Sequence, residues 1–278
     1  GAVTITGQFE LIQFAENIPS FGGNVKIDNA SGSFIEYTGF ELASIPPQGT
    51  GTGTAGLPIG MCIVTQQTSG STSTLLPIGG VALDAGQVTL TGPSGSNLSS
   101  TPFTETNNTY NLNIGIEGAS MAIPGYGNGK VVAGTYTISG TGGTGVNAFN
   151  TSVSLATPLT ITGGLPTTIV RSAGIPLAWT GGNPNDLVII SGSTTPTSGN
   201  GVGWVCYTTA GTGGFTVPAS VTNQLLAVPA SGGFIGVSSG SFPTSGAGLF
   251  NFTLVSDGSS HQGTFSALVG TAGMAVYQ

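Results

Sequence analysis

The chain has 278 residues, three Lys+Arg against ten Asp+Glu, and a net charge of −7. Only 5% of residues are charged, against roughly 25% in an ordinary soluble domain. The cations Lys26, Lys130 and Arg171 are scattered, which excludes a nucleic-acid footprint, and 49 glycines argue against long helices. Plentiful Thr, Val, Ile, Phe and Tyr argue against disorder, so the expected class is all-β.

The first element is a strand over residues 3–14. Val3, Ile5, Phe9 and Leu11 share one parity, and Thr4, Thr6, Gln8 and Glu10 the other. The start, Gly1-Ala2-Val3, reads as a mature end left after signal-peptide removal. No apolar run reaches the roughly 18 residues of a membrane-spanning helix. Glu10, Glu16, Asp28, Glu36 and Glu41 gather near this end; a carboxylate pair for glycoside hydrolysis is one use, and a solvated face is the simpler one. Asp28-Asn29 suits an Asx-turn better than a calcium site. Residues 44–56, SIPPQGTGTGTAG, form a low-complexity loop, and LPIG occurs at 57–60 and again at 76–79.

Cys62 and Cys206 are the only cysteines. In an exported chain they are expected to pair, fastening the N-terminal half to the C-terminal half; two separately buried thiols are the alternative. From Leu83 onward, strand and turn signals recur as they do in a sandwich. Val88 with Leu90, Tyr110 with Leu112, Tyr136 with Ile138, and Val153 with Leu155 each share a face, and Pro158 closes the series. The expected domains are therefore residues 1–158 and 159–278, two β-sandwiches of Ig-like or Greek-key type in tandem.

In the second half, the strand around Trp204 is apolar on both faces and is expected to be central and covered. Residues 218–228 are the one stretch that suits a helical turn, with Val221 and Leu225 at i, i+4. Trp179 and Trp204 share parity with apolar neighbours and read as core rather than as a sugar-stacking platform. Asn183-Pro184-Asn185-Asp186 reads as an Asx-turn before a calcium loop. Asp257-Gly258-Ser259-Ser260-His261 holds the lone histidine; it is expected to be a polar hairpin tip, because a Ser–His–Asp triad needs groups that converge in space. Sequons at Asn29, Asn97, Asn107, Asn150 and Asn251 become surface glycosylation sites if the source glycosylates its exported proteins.

The segments LDAGQVTLTGPSG (83–95), AGTYTISGTGG (133–143), LAWTGGNPNDLVIISG (177–192) and VCYTTAGTGGFTVPASV (205–221) resemble a group of uncharacterised exported proteins of acidobacterial type. The resemblance covers about residues 80–230. It implies β-sandwich domains and export, and carries no activity, cofactor or site residue with it.

The functional expectation is a non-catalytic extracellular structural protein without cofactor or metal: a subunit of a filament, pilus or surface layer. Self-association is expected; Val3, Ile5, Phe9 and Leu11 form either the first strand of the chain's own sandwich, the simpler reading, or a strand given to a neighbour's sheet, a role that Met274–Tyr277 could equally play. The alternative is a surface adhesion module that binds a glycan or a protein.

Overall fold

The structure is a computed structural model and describes residues 3–18, 23–38, 59–67, 80–197, 199–242 and 248–278. Of these residues 58% are strand and 6% helix, so the all-β expectation holds. In chain order the strands begin β1 (Val3–Ile18), β2 (Gly23–Thr38), β3 (Cys62–Gln67), β4 (Gly80–Ala82) and β5 (Val88–Thr91). Next come β6 (Thr101–Pro102), β7 (Thr104–Thr106), β8 (Thr109–Glu117), β9 (Gly134–Gly140) and β10 (Phe149–Leu155). The second half holds β11 (Thr160–Ile161), β12 (Thr168–Ile169), β13 (Ile175–Thr180), β14 (Leu187–Thr194) and β15 (Gly201–Thr209). It ends with β16 (Gly214–Val217), α1 (Ala219–Thr222), β17 (Gly233–Ser241), β18 (Leu249–Thr253), β19 (Ser260–Met274) and β20 (Val276–Tyr277). The stretch 44–56 and most of both LPIG copies lie outside the described residues.

One sheet of eleven strands organises the molecule, in the order β3-β15-β14-β17-β19-β1-β2-β8-β7, with β18 beside β19 and β4 beside β2. Strands from both sides of residue 158 share it: β15, β14, β17 and β19 from the second half stand between β3 and the run β1-β2-β8-β7 from the first. The predicted N-terminal strand becomes β1, which forms a hairpin with β2 from Val3↔Thr38 to Ile18↔Gly23. Its other edge runs parallel to β19, from Gly7↔Gly263 to Glu16↔Ala272. The Trp204 strand, β15, is well buried but is second from the end of the path rather than central.

Two cores lie on one face of this sheet. The first packs Phe9, Leu11, Phe34, Tyr110, Phe252 and Phe265 against Leu90, Tyr136, Ile138 and Phe149 of the four-stranded sheet β10-β9-β5-β6. The second packs Val188, Ile190, Trp204 and Val237 against Ile175, Leu177, Trp179 and Val217 of the sheet β11-β13-β16. The registers put them on the same side. Phe9 pairs with Phe265, Gln13 with Val269, Val269 with Ser239, and Ser239 with Val188. Neither core is confined to one half of the chain. The first takes Phe250, Phe252 and Phe265 from beyond residue 158, and Cys62 and Val64 pack against the second.

Local chemistry explains several close fits. Phe9 faces Gly32 across the β1–β2 pair, and a Cβ at position 32 would collide with its ring. Gly192 likewise leaves room for the Trp204 indole on the neighbouring strand. The Tyr136 hydroxyl accepts from Val132 N–H and donates to Val132 C=O, both at 2.7 Å. A tyrosine hydroxyl bonded back to the backbone a few residues upstream has the geometry of a tyrosine corner, and burial pushes the phenol up to about 12. Val221 and Leu225 are both buried, as the helical-turn pattern requires.

Cys62 and Cys206 form a disulfide between directly opposed residues of β3 and β15, with Cα atoms 4.0 Å apart. The bridge thus fastens neighbouring strands of a single sheet. Register places Ile12, Phe14, Ile27, Ile189, Tyr207 and Leu268 on the sheet's opposite face, where they are buried or half-buried and belong to neither core.

Candidate functional site

Between the two cores the covering sheets separate, and the connection from β10 to β11 crosses the gap. Beneath Pro158, Leu159 and Ile161 lies a cleft of about 180 Å³, floored by β17, β19, β1 and β2. Strand register maps its floor. One rung runs Ser239–Val269–Gln13–Asp28 across the four strands, and the next runs Val237–Thr271–Ala15–Lys26. Polar and apolar side chains therefore alternate over a floor about 14 Å long, three strand spacings.

Gln13 is 4% exposed and its orientation is fixed by two acceptors. Its Nε2 donates to Asp28 Oδ1 and to Val131 C=O, each at 2.9 Å. Both amide hydrogens are engaged, so Oε1 is the atom it offers the cleft, as an acceptor. Asp28 is fully buried, and its Oδ2 accepts from Val131 N–H at 2.8 Å. Burial raises its pKa, against the opposing effect of these hydrogen bonds. Ser239 is 4% exposed, lines the cleft, and its hydroxyl has no hydrogen-bond partner among the described residues. Lys26 closes one end, and Glu117 stands opposite it on β8, on the side away from Ala15.

The N-terminal acids correct the expectation of a solvated face. Glu10 is 8% exposed and burial raises its pKa, while Asp28 is sealed from solvent. They do not form a catalytic pair, because the register places Glu10 on the outer face and Asp28 on the inner one. Glu41 lies outside the described residues. Asp84 holds two loops together, accepting from Thr144 N–H and Gly86 N–H at 2.8 Å each. Those bonds lower its pKa.

The DGSSH segment turns between β18 and β19, as expected, yet two of its groups do meet. Ser259 Oγ lies 2.9 Å from His261 Nε2. Asp257 does not complete a triad: its Oδ1 accepts from Ser259 N–H at 2.9 Å and so caps the turn, and hydrogen bonds from Ser259 lower its pKa. The imidazole rests on Phe252, with ring centroids 5.8 Å apart.

Both tryptophans are core residues, each 3% exposed. The Trp179 indole donates to Ala210 C=O at 3.0 Å, whereas Trp204 Nε1 is buried without an acceptor in hydrogen-bonding geometry. Asn183–Asp186 closes on itself as a turn: Asn185 N–H donates to Asn183 Oδ1 at 3.0 Å, and Asp186 N–H to Asn183 C=O at 2.9 Å. Among the described residues no group of three or more His, Cys, Asp or Glu is placed to hold a metal ion. Asn97, Asn107, Asn150 and Asn251 are exposed, while Asn29 is half-buried in β2. Asn107 and Asn108, with φ of 52° and 60°, form the tip of the β7–β8 hairpin, where both positions need left-handed backbone.

The expected assembly strand is divided in its exposure. Phe9 and Leu11 are fully buried in the first core, Ile5 packs against it, and Val3 is 52% exposed. Sequence reasoning missed the cleft residues. One signal was present: Gln13 breaks the apolar series Phe9, Leu11 at the next inward position. No helix among the described residues is long and apolar enough to cross a membrane. No protein-family model matches the chain, and no curated protein matches it.

Proposed function

We propose that the protein is a non-catalytic structural subunit of an extracellular polymer, such as a filament, pilus or surface layer. The observation that carries this reading is the open eleven-stranded sheet. In the described residues β3 pairs only with β15 and β7 only with β8, so the path has two ends to which further strands can add. Contacts of this head-to-tail kind generate fibres where the rotation between copies does not close a ring. Several acids act as structural acceptors: Asp28, Asp84, Asp186 and Asp257 each hold a neighbouring backbone or side chain.

Strand donation takes a particular form here. β1 is joined to β2 along 16 paired positions, so any exchange between copies carries the hairpin as a unit, filling the gap between β19 and β8. Negative-stain electron microscopy of the native material is the test: filaments or sheets are expected. A uniform population of single molecules overturns the proposal. A second reading, a surface module that binds a glycan, is favoured by the cleft with its unpartnered Ser239 hydroxyl.

A further inference from the structure

We infer that the cleft under Pro158–Ile161 binds a small hydroxylated carboxylate, of the class of a single uronic acid residue. The inference rests on the glycan-binding reading and is independent of polymer formation. Four groups define the chemistry. Gln13 Oε1 can only accept, because both amide hydrogens are held by Asp28 and Val131, so the ligand must present an O–H or N–H donor. Lys26 can only donate, and it carries a positive charge at one end, so the ligand must present an acceptor there, best an anion. Ser239 and Thr271 offer hydroxyls that serve in either sense.

Ser239 is the group that points to a ligand at all. The Ser239 side chain is 4% exposed and its hydroxyl has no partner among the described residues, so the group is left open toward the cleft as both donor and acceptor. The remaining walls are apolar: Pro158, Leu159, Ile161, Val237 and Val269. Such walls suit the C–H faces of a sugar ring. The volume of about 180 Å³ lies below the roughly 300–1,000 Å³ of drug-sized sites, so one small molecule is the limit.

Asp28 does not oppose an anion directly, since it lies behind Gln13 with both oxygens hydrogen-bonded. Glu117 does compete, as the cross-strand neighbour of Lys26 on the far side. This gives the site an internal control.

The test is a titration of the full chain with D-galacturonate and D-glucuronate, read by amide chemical shifts in β17 and β19. Galactose, glucose and hexanoate serve as comparators. Saturable shifts with at least one uronate are expected, and weaker ones with the neutral sugars and with hexanoate. Lys26→Gln should weaken uronate binding about tenfold. Ser239→Ala should weaken it severalfold without harming the fold, and Glu117→Gln should strengthen it. Equal binding of neutral sugars and uronates overturns the acid preference but keeps the glycan reading. Equal binding of hexanoate overturns the sugar class. Absence of saturable binding by any of these probes removes both the inference and the glycan reading, and undiminished binding by Lys26→Gln overturns the assigned orientation.

Discussion

The first core is packed with phenylalanines drawn from strands at both ends of the described chain, β1 and β2 at one end and β18 and β19 at the other. The second takes most of its strands from residues 159–241 and closes around two tryptophans and a disulfide. Phe9 touches Phe34, Phe103, Tyr110 and Phe149, with ring centroids 5.6–6.2 Å apart and several edge-on. Such interlocking rings add to burial through their preferred geometry. In the second core the strand recruited from before residue 158, β3, is covalently held. The lesson concerns distance along the chain. Where long-range pairing is extensive, as with β1 and β19, packing alone secures it; the short strand β3 adds a covalent bond to its pairing.

This contrast can be probed because both tryptophans of the chain lie in the second core. Their emission reports that core, while assigned ring-proton resonances of Tyr110 and Tyr136 report the first. Deleting residues 1–18 is expected to have the largest effect. It removes Phe9 and Leu11 and leaves β19 without its parallel partner, so the tyrosine signals should collapse. A folded monomer with an intact first core would break the comparison. Replacing both cysteines by alanine should cost about 5 kcal/mol in the chain-entropy account, given the separation of 144 residues. Denaturant unfolding followed by tryptophan emission measures it, and an unchanged midpoint would show that β3 needs no tether. Phe9→Ala should cost about 4 kcal/mol through the cavity it leaves among the rings. If tyrosine and tryptophan transitions still coincide in that variant, the shared sheet makes the two cores one cooperative unit.

How much of this was legible beforehand follows from what period two encodes. Alternation reveals which side chains share a face, and so it located β1, β9, β10 and β13 and the burial of Trp179 and Trp204. It does not name the partner strand. The parallel pairing of Phe9 with Phe265 joins residues from opposite ends of the chain, and nothing in the spacing of either strand announces it. The cleft was hidden for the same reason, since Gln13, Lys26, Ser239 and Thr271 come together only through that register. The Ser259–His261 contact was missed because a hairpin tip can turn two nearby side chains toward each other.

The smallest expected effect concerns pH. The native pKa of Asp28 is raised above the ordinary aspartate value, chiefly by burial, so the folded state favours the protonated form. Its contribution to stability is fully present below the ordinary value of 3.8 and is lost as pH rises through the native pKa. Glu10 acts in the same sense, while the lowered Asp84 acts oppositely and withdraws stability in stronger acid. Stability should therefore rise as pH falls from neutrality toward the carboxylate range, and decline below it. Denaturant midpoints across pH check this, and Asp28→Asn should flatten the upper slope. A wild-type profile without that slope would show that the buried carboxyl is fully compensated by Gln13 and Val131.

The parallel pairing of β1 with β19 also sets a timetable for biosynthesis. Gly7 meets Gly263, so its partner leaves the ribosome about 250 residues later, a delay of roughly 13–50 s at ordinary elongation rates. Throughout that interval the β1–β2 hairpin can exist, and its Phe9 and Leu11 face can be covered once β5, β9 and β10 have emerged, but the edge of β1 has nothing to bond. The nascent chain is then a ready client for any factor that shields bare strands, and the order of translation, rather than the strength of any one contact, decides when the molecule can close.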